Sequence, residues 1–360
     1  MCASKWSRFG YVWLVLGTLS GCGQDSDRPS EVHTLRVLAV RSETPFTKPA
    51  SSAGLSMLAY DGSPRARLAD GSSRSTSTLW IGGCINPNGD NYAACMPYLH
   101  EAIEQLGDAN LSNQVVPTDA PAGRFGWGQT FTAQVPADII SSRVVAPGVV
   151  YPYGVQIVFF AYCGGLLKRV DVESTKFPLG CFDAQTGEAL GRDDFEYGFY
   201  PIFSYESLEN QNPTFSSIRF DGHDLGAACS DVAPCSDGLH CGSAGLCIPV
   251  VQRCTQPKND DCPGYSLSIE VPRTSAELAT VAHVTASDAL TENLWVSYYS
   301  NAGSFEQDAR VINDPQSGWN DDTAGKWRAN VDSSREVRLW VVVRDNRNGV
   351  TWVSRDVWVQ

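Results

Sequence analysis

Cysteine is the residue type in this sequence with the most chemistry to offer. The chain has 360 residues, of which twelve are cysteine and five are histidine. Cysteines at this density either bind metal or form disulfides. Metal-binding cysteines usually occur as Cys-x2-Cys pairs or close to histidine, but there is no Cys-x2-Cys, and the histidines are scattered over positions 33, 100, 223, 240 and 283. We therefore predict disulfides and expect no metal or other cofactor.

Cys22 stands apart from the other cysteines because it ends an apolar N-terminal run. The run covers residues 11–19 and follows a short basic segment. It is too short for a membrane-spanning helix, which needs ~20 residues. The run leads into Leu19-Ser20-Gly21-Cys22, which resembles the lipobox of bacterial (Gram-negative) lipoproteins at all four positions. In that family the cysteine thiol carries diacylglycerol through a thioether.

The lipobox resemblance implies a location for the protein. It implies a signal peptide over residues 1–21 and lipid attachment at Cys22. Residues 22–33 are polar and suit a flexible tether. The implied partner is a lipid bilayer and the implied location is the cell envelope, most often the outer membrane because Gly23 follows the cysteine, with the leaflet left open. An ordinary cleaved signal with a coincidental cysteine is the alternative.

The rest of the chain has the pattern of β-structure. Runs rich in Val, Ile, Phe, Tyr and Trp alternate with clusters of Gly, Pro, Asn, Asp and Ser, which is typical of strands and turns. The run 155–163 is apolar on both faces, as a central strand under a second layer would be. Asn348-Gly349 predicts a type I′ hairpin turn. One helix is expected over residues 97–107, ending at Gly107.

A weak internal repeat divides this β-structure into two halves. The segments 77–84 and 292–300 both carry Leu-Trp followed by Ile or Val. The pattern resembles immunoglobulin-like or fibronectin-like β-sandwiches of bacterial surface lipoproteins, which implies that Trp80 and Trp295 lie in two cores. The predicted fold class is all-β, with two antiparallel Ig-like sandwiches and a small disulfide-rich module between them or inserted in the second. The expected boundaries are 34–200 for the first sandwich, 201–228 for a linker and the first strand of the second, 229–262 for the module and 263–360 for the second sandwich.

Residues 229–262 contain six cysteines in a segment too small to bury a core of its own. The segment resembles knottin-like and EGF-like modules, including Dickkopf-type cysteine-rich repeats. Six cysteines allow 15 connectivities, and an interleaved arrangement followed by a local pair is preferred. Ten cysteines remain when Cys2 leaves with the signal and Cys22 is lipidated, enough for five disulfides, and crossed pairing outside the module stays open. The preferred pairs are Cys84–Cys95, Cys163–Cys181, Cys229–Cys241, Cys235–Cys247 and Cys254–Cys262.

Catalytic signatures are missing from the sequence. It has no Gly-x-Ser-x-Gly elbow, His-Glu-x-x-His, P-loop or dinucleotide-binding glycine motif. The oxygen-rich loops 86–91 and 313–322 are minor candidates for calcium, with solvated turns favoured. A net charge of -13 argues against nucleic-acid binding through phosphate contacts.

These observations favour a membrane-anchored, non-enzymatic envelope lipoprotein. The roles that fit are adhesion, binding of a protein or glycan ligand, or envelope assembly. One alternative is a secreted or periplasmic hydrolase with a site in the loops of residues 85–127, since loops on rigid scaffolds often carry sites. A structural spacer without a ligand is the other alternative.

Overall fold

The computed structural model describes residues 28–145, 148–225, 227–230, 235, 239–256, 258–278 and 291–360. Cys22, the predicted signal peptide and residues 22–27 of the predicted tether lie outside the described residues. The described chain forms a first half, residues 28–205, and a second half, residues 217–360, which are joined by a linker of residues 206–216. Among the described residues, no helix combines the length and apolar character needed to cross a bilayer.

The first half is a β-sandwich with a helix on one outer face. One sheet has the order β1-β3-β6 and the other β2-β10-β7-β4-β5, while β8 and β9 form a separate hairpin. The helix α1 spans Met96–Asn113, and short 3-10 turns at Asn88–Asp90 and Tyr92–Cys95 precede it. The strands are β1 Leu35–Ser42, β2 Phe46–Thr47, β3 Ser52–Asp61, β4 Ser77–Ile85, β5 Phe125–Trp127, β6 Thr130–Gln134, β7 Tyr153–Cys163, β8 Leu166–Arg169, β9 Leu179–Phe182 and β10 Phe195–Tyr205.

Two cores explain why β7 is apolar on both faces. Val158 and Phe160 face the three-stranded sheet, in a core that also contains Trp80. Ile157 and Phe159 face α1 on the opposite side. The second layer expected over this strand is therefore the helix. Its helical backbone breaks at Gly107, the residue predicted to end it, and a further helical segment then continues to Asn113.

The second half is a larger β-sandwich. Its sheets have the orders β12-β11-β15-β20-β17 and β13-β14-β22-β21-β16-β18-β19, with one apolar core between them. Short 3-10 turns lie at Asn259–Asp261 and Arg273–Ser275. The strands are β11 Ser217–Phe220, β12 His223–Asp224, β13 Leu239–Cys241, β14 Cys247–Val251, β15 Gly264–Glu270, β16 Leu294–Ser300, β17 Ser304–Phe305, β18 Ala309–Asp314, β19 Gly318–Trp319, β20 Gly325–Arg328, β21 Arg335–Asp345 and β22 Val350–Val359.

The predicted fold class, all-β with two sandwiches and a disulfide-rich segment, is confirmed. The cystine segment, residues 229–262, leaves the sheet after β12 and returns at β15, and β11 pairs with β15 directly. The pairing is not wholly antiparallel, because β14 pairs with β22 and β2 with β10 in parallel. Through β14 the cystine segment is built into the larger sheet.

Two local expectations are wrong. Trp295 is only half-buried, because Leu294, Val296 and Tyr298 fill the alternate positions of β16 that face the core. The predicted two-residue turn at 348–349 is instead a loop over residues 346–349. The Asp345 carboxylate organises this wider loop by accepting hydrogen bonds from the backbone amides of Arg347 and Gly349, both at 2.7 Å.

The outer face of the larger sheet packs against the first half. Trp340 of β21 contacts Leu38 of β1, and Val342 packs beside Ala39. Arg344 adds a polar contact, since its Nη2 donates to the carbonyl of Leu38 at 2.6 Å. These contacts fix the two halves along the middle of β21, so that the two ends of this strand face different surroundings.

Candidate functional site

The N-terminal end of β21 opens onto a cleft between the two halves. Its volume is about 1010 Å³. The end of β3, the loop of residues 62–76 and Tyr162 form one wall. The other wall comes from residues 301–303 and 330–338, and Ser243 of the cystine segment reaches its rim. The side chains along the cleft that carry formal charge are Arg67, Arg74, Arg335, Arg338, Glu31, Asp61, Asp332, Glu336 and Asp356.

Arg74 organises the wall of the first half. Its Nε donates to Asp61 Oδ2 at 2.6 Å, its Nη1 lies 2.7 Å from Asp194 Oδ1, and its Nη2 donates to Ser63 Oγ at 2.9 Å. Burial acts to lower the pKa of Arg74. The carboxylates of Asp61 and Asp194 act to raise it, and the pKa is raised overall. The side chain is thus a fixed, permanently charged support.

A bidentate ion pair organises the wall of the second half. Nε and Nη2 of Arg338 donate to the two oxygens of Asp356 at 2.8 and 3.0 Å. Hydrogen bonding to Asp356 raises the pKa of Arg338 against the opposing effect of burial. Next to it, Glu336 accepts from the hydroxyl of Ser243 at 2.7 Å and from its amide at 3.0 Å. Burial acts to raise the pKa of Glu336, but the hydrogen bonds from Ser243 act to lower it, and the pKa is lowered overall. The Glu336 carboxylate is therefore ionised and oriented at neutral pH.

Tyr60 and Asn301 join the two walls at the floor of the cleft. Asn301 Nδ2 donates to the Tyr60 hydroxyl at 2.9 Å, across the boundary between the halves. Asn301 Oδ1 accepts from the backbone amide of Arg338 at 2.9 Å. The ring of Tyr60 packs on Trp340, with 4.7 Å between ring centroids. The width of the cleft at its floor is fixed by these contacts.

Two arginines in the cleft keep free donors. Among the described residues, Arg67 donates to Ser73 Oγ at 3.2 Å and to the carbonyl of Gly71 at 3.5 Å. Within the described part of the chain, neither Arg67 nor Arg335 has a carboxylate partner. The cleft thus combines rigid ion pairs with exposed donors, an arrangement suited to holding a polar ligand by hydrogen bonds.

The structure contains the five disulfides preferred from the sequence, and none of them lies in the cleft. Two are in the first half, where Cys84–Cys95 links β4 to the start of α1 and Cys163–Cys181 links β7 to β9. Three are in the cystine segment, as Cys229–Cys241, Cys235–Cys247 and Cys254–Cys262. Their role in the described chain is to staple local structure.

The other regions singled out in the sequence are engaged structurally. Asp90, in the oxygen-rich loop 86–91, makes a bidentate pair with Arg143 at 2.6 and 2.9 Å and accepts from Tyr153. Asp314, in the loop 313–322, accepts from amides of its own turn. Much of the proposed hydrolase region, residues 85–127, is the packed helix α1 rather than irregular loop.

Sequence reasoning missed the cleft entirely. Its walls come from segments more than 200 positions apart, as the Tyr60–Asn301 hydrogen bond illustrates. The available signal was the density of Ser, Arg and Asp in the loop of residues 62–76, which is ordinary for a solvated turn. Only the packing of the halves gives these residues a common ligand-sized space.

Comparisons with known proteins leave the family open. No family model and no curated protein matches the chain. Similar solved structures include the tandem Ig repeats of Dlar, at 7% identity over 91% of this chain and 98% of that chain, with a TM-score of 0.22. Escherichia coli alpha-2-macroglobulin activated by porcine elastase is 7% identical over 92% of this chain and 22% of its own, with a TM-score of 0.20. Dimeric latent PorU from Porphyromonas gingivalis is 9% identical over 92% of this chain and 24% of its own, with a TM-score of 0.17.

TM-scores at this level do not establish a common fold, so the two-sandwich architecture rests on the sheets and cores described above. The chain also spans about a quarter or less of the length of the latter two proteins.

Proposed function

We propose that this chain is a non-enzymatic, lipid-anchored protein of the cell envelope that binds a ligand in the cleft between its two halves. The observation that carries the proposal is the cleft, about 1010 Å³ in volume and lined by oriented ion pairs from both halves. A structure built only as a spacer has no need of a preorganised polar space of this size.

The anchor part of the proposal is supported by the sequence Leu19-Ser20-Gly21-Cys22. Acylation with more than one chain gives lasting attachment, because each buried CH2 contributes ~0.8 kcal/mol. The outer membrane is the proposed destination, since Gly23 follows the cysteine.

The anchor is tested by expression in a Gram-negative host with an alkyne-labelled palmitate. The wild-type chain should be labelled and sediment with membranes, and Cys22→Ala should lose both properties. Cys2→Ala is the matched control, because Cys2 is proposed to leave with the signal peptide. Label and membrane association that persist in Cys22→Ala would refute the anchor.

The ligand part is tested by hydrogen exchange on the full chain. Delipidated envelope material, divided into a polysaccharide fraction and a proteolytic peptide fraction, serves as the probe. One fraction should slow exchange in residues 59–76 and 330–338 together, because both walls contact the ligand. No protection would favour the spacer, and protection on one wall alone would contradict a ligand held between the two walls.

Binding rather than catalysis is proposed because the sequence lacks catalytic motifs and because Asp61 and Asp356 are held in ion pairs with Arg74 and Arg338. A fraction that protects the cleft should be recovered chemically unchanged after prolonged incubation. Hydrolysis that depends on the cleft would contradict this part of the proposal.

A further inference from the structure

We infer that the ligand of the cleft is a neutral oligosaccharide, an inference that rests on the proposed function because it takes the cleft as the ligand site. Three properties of the cleft lead to this class: its charge balance, the lack of large aliphatic side chains among the described residues along it, and the fixed orientation of its polar groups.

The charges along the cleft nearly cancel. Four arginines and five carboxylates line it, drawn from both halves and the segment before β1. The charges of Arg74 and Arg338 are balanced by Asp61, Asp194 and Asp356. The whole chain carries a net charge of -13, which repels polyanions at long range. A polyanion would therefore meet a cleft without net positive charge. A polycation would meet Arg67 and Arg335, which have no carboxylate partner among the described residues.

Peptide recognition needs features that the cleft lacks. Bound peptides use large apolar anchors in pockets or add a strand to a free sheet edge. The aliphatic side chains along the cleft are the small ones of Ala59, Ala66, Ala302 and Val331. Its two tyrosines are already packed, since Tyr162 is buried and the Tyr60 ring lies on Trp340. The edge of β21 is also closed here, because Asn301 bonds the amide of Arg338 at 2.9 Å and its carbonyl at 3.2 Å. β22 pairs with the opposite edge of β21.

The fixed polar groups suit sugar hydroxyls. Vicinal hydroxyls pair with the two oxygens of a carboxylate or with two N–H groups of a guanidinium, so oriented side chains of these types bind a pyranose well. Arg338 uses Nε and Nη2 on Asp356, which leaves Nη1 available, and 40% of its side chain is exposed. Such preorganisation matters most for neutral polar ligands, which gain little from apolar burial.

The size of the cleft indicates several sugar units. Small-molecule pockets usually measure about 300 to 1,000 Å³, and this cleft is at the upper end, at about 1010 Å³. It is also open between two domains, which allows a chain longer than the cleft to pass through it.

The test uses the full acylated chain in a detergent without a sugar headgroup, because a glycosidic detergent would compete. The probes are fluorescent gluco-, manno- and N-acetylglucosamine oligosaccharides of four to six units, with an oligogalacturonate as the anionic probe and extended peptides as the third class. Ala66→Trp blocks the cleft from one wall and Ser333→Trp from the other. Ala137→Trp, an exposed position outside the cleft, is the matched control.

A neutral oligosaccharide should bind to the wild-type chain. Each blocking variant should raise the Kd by about tenfold or more. Ala137→Trp should bind like wild type. Added salt should change the affinity little, because no net charge is neutralised. Two blocking variants are used so that a folding defect in one leaves the other informative.

Several outcomes would overturn the inference. Binding of oligogalacturonate or of peptides that Ala66→Trp blocks would leave the cleft as the ligand site and refute the neutral-sugar class. Absence of binding across the neutral panel, or binding equal in Ala66→Trp and Ala137→Trp, would refute the inference directly. The anchor proposal is tested separately, by whether Cys22→Ala still sediments with membranes.

Discussion

Nη1 of Arg347 lies 2.6 Å from Oε1 of Glu292, and the glutamate side chain is completely buried. The same arginine donates from Nη2 to the carbonyl of Glu209 in the linker at 2.7 Å, and its guanidinium lies 4.8 Å from the ring centre of Phe46 in the first half. A buried acid of the second half is thereby connected to the linker and to the first half. This contact lies near the C-terminal end of β21, whereas the cleft opens at the N-terminal end.

The Glu292 side chain should make stability depend on pH. Burial, reinforced by Asp345 and Glu277 and opposed by Arg347, raises the pKa of Glu292 to about 7 from an ordinary 4.5. The folded chain then binds this proton more tightly than the unfolded chain. The contribution of the Glu292 proton to the stability of the fold is fully present below pH 4.5 and is lost as the pH rises through about 7.

Glu292→Gln removes this titration. Between pH 4.5 and 7.5 the wild-type free energy of unfolding should fall by about 3 kcal/mol more than that of the variant. Urea denaturation at constant ionic strength measures both. Glu209→Gln is the control, because Glu209 contacts Arg347 through its backbone carbonyl and its carboxylate is exposed. Parallel pH curves for wild type and Glu292→Gln would contradict the prediction.

The hydrogen bond between Tyr60 and Asn301 should contribute to docking of the halves. Tyr60→Phe removes the acceptor and leaves Asn301 Nδ2 facing the interface, so we expect a loss of about 1 kcal/mol in the free energy of unfolding. Tyr197→Phe, at an exposed tyrosine, should change nothing. A double-mutant cycle of Tyr60→Phe with Asn301→Ala isolates the pair, and a coupling energy near zero would show that the bond is dispensable.

Gly107 lies inside α1 with a φ of +72°. Nothing lies within 4 Å of a Cβ built there, and the same is true of Gly191, whose φ is ordinary. Gly107→Ala should therefore lose about 1 kcal/mol or more through backbone strain alone. Gly191→Ala should be neutral or slightly stabilising. Thermal unfolding of the two variants compares them, and equal Tm values would contradict the strain.

Local features were predictable from the sequence because short spacings determine them. The Cys84–Cys95 bridge closes a short segment, and the apolar run of β7 requires cover on both faces. The break in α1 at Gly107 was predictable, because glycine adopts the positive φ that interrupts a helix. The helical segment after it, which buries Leu111, was not predicted. Trp295 was assigned to the wrong face because its neighbours in β16 are apolar as well, so the pattern has no clear period. The cleft depends on how the two sandwiches dock, which no local pattern encodes.

The Cys84–Cys95 disulfide should stabilise the first half more than loop closure alone predicts. Its sequence separation of 11 is close to the 12 of Cys229–Cys241, so removing either bridge should cost about 3 kcal/mol in loop entropy. Cys95 is fully buried and Cys84 nearly so, at the junction of β4 and α1, whereas Cys241 is exposed. The double variant Cys84→Ala/Cys95→Ala should therefore lose at least about 1 kcal/mol more, because the missing sulfurs leave a cavity.

Urea denaturation of wild type and of each double variant, followed by circular dichroism, measures the two losses in the free energy of unfolding. If the two double variants lose the same free energy, the Cys84–Cys95 bridge acts only as a loop constraint, and the packing of α1 against β4 does not depend on its sulfur atoms.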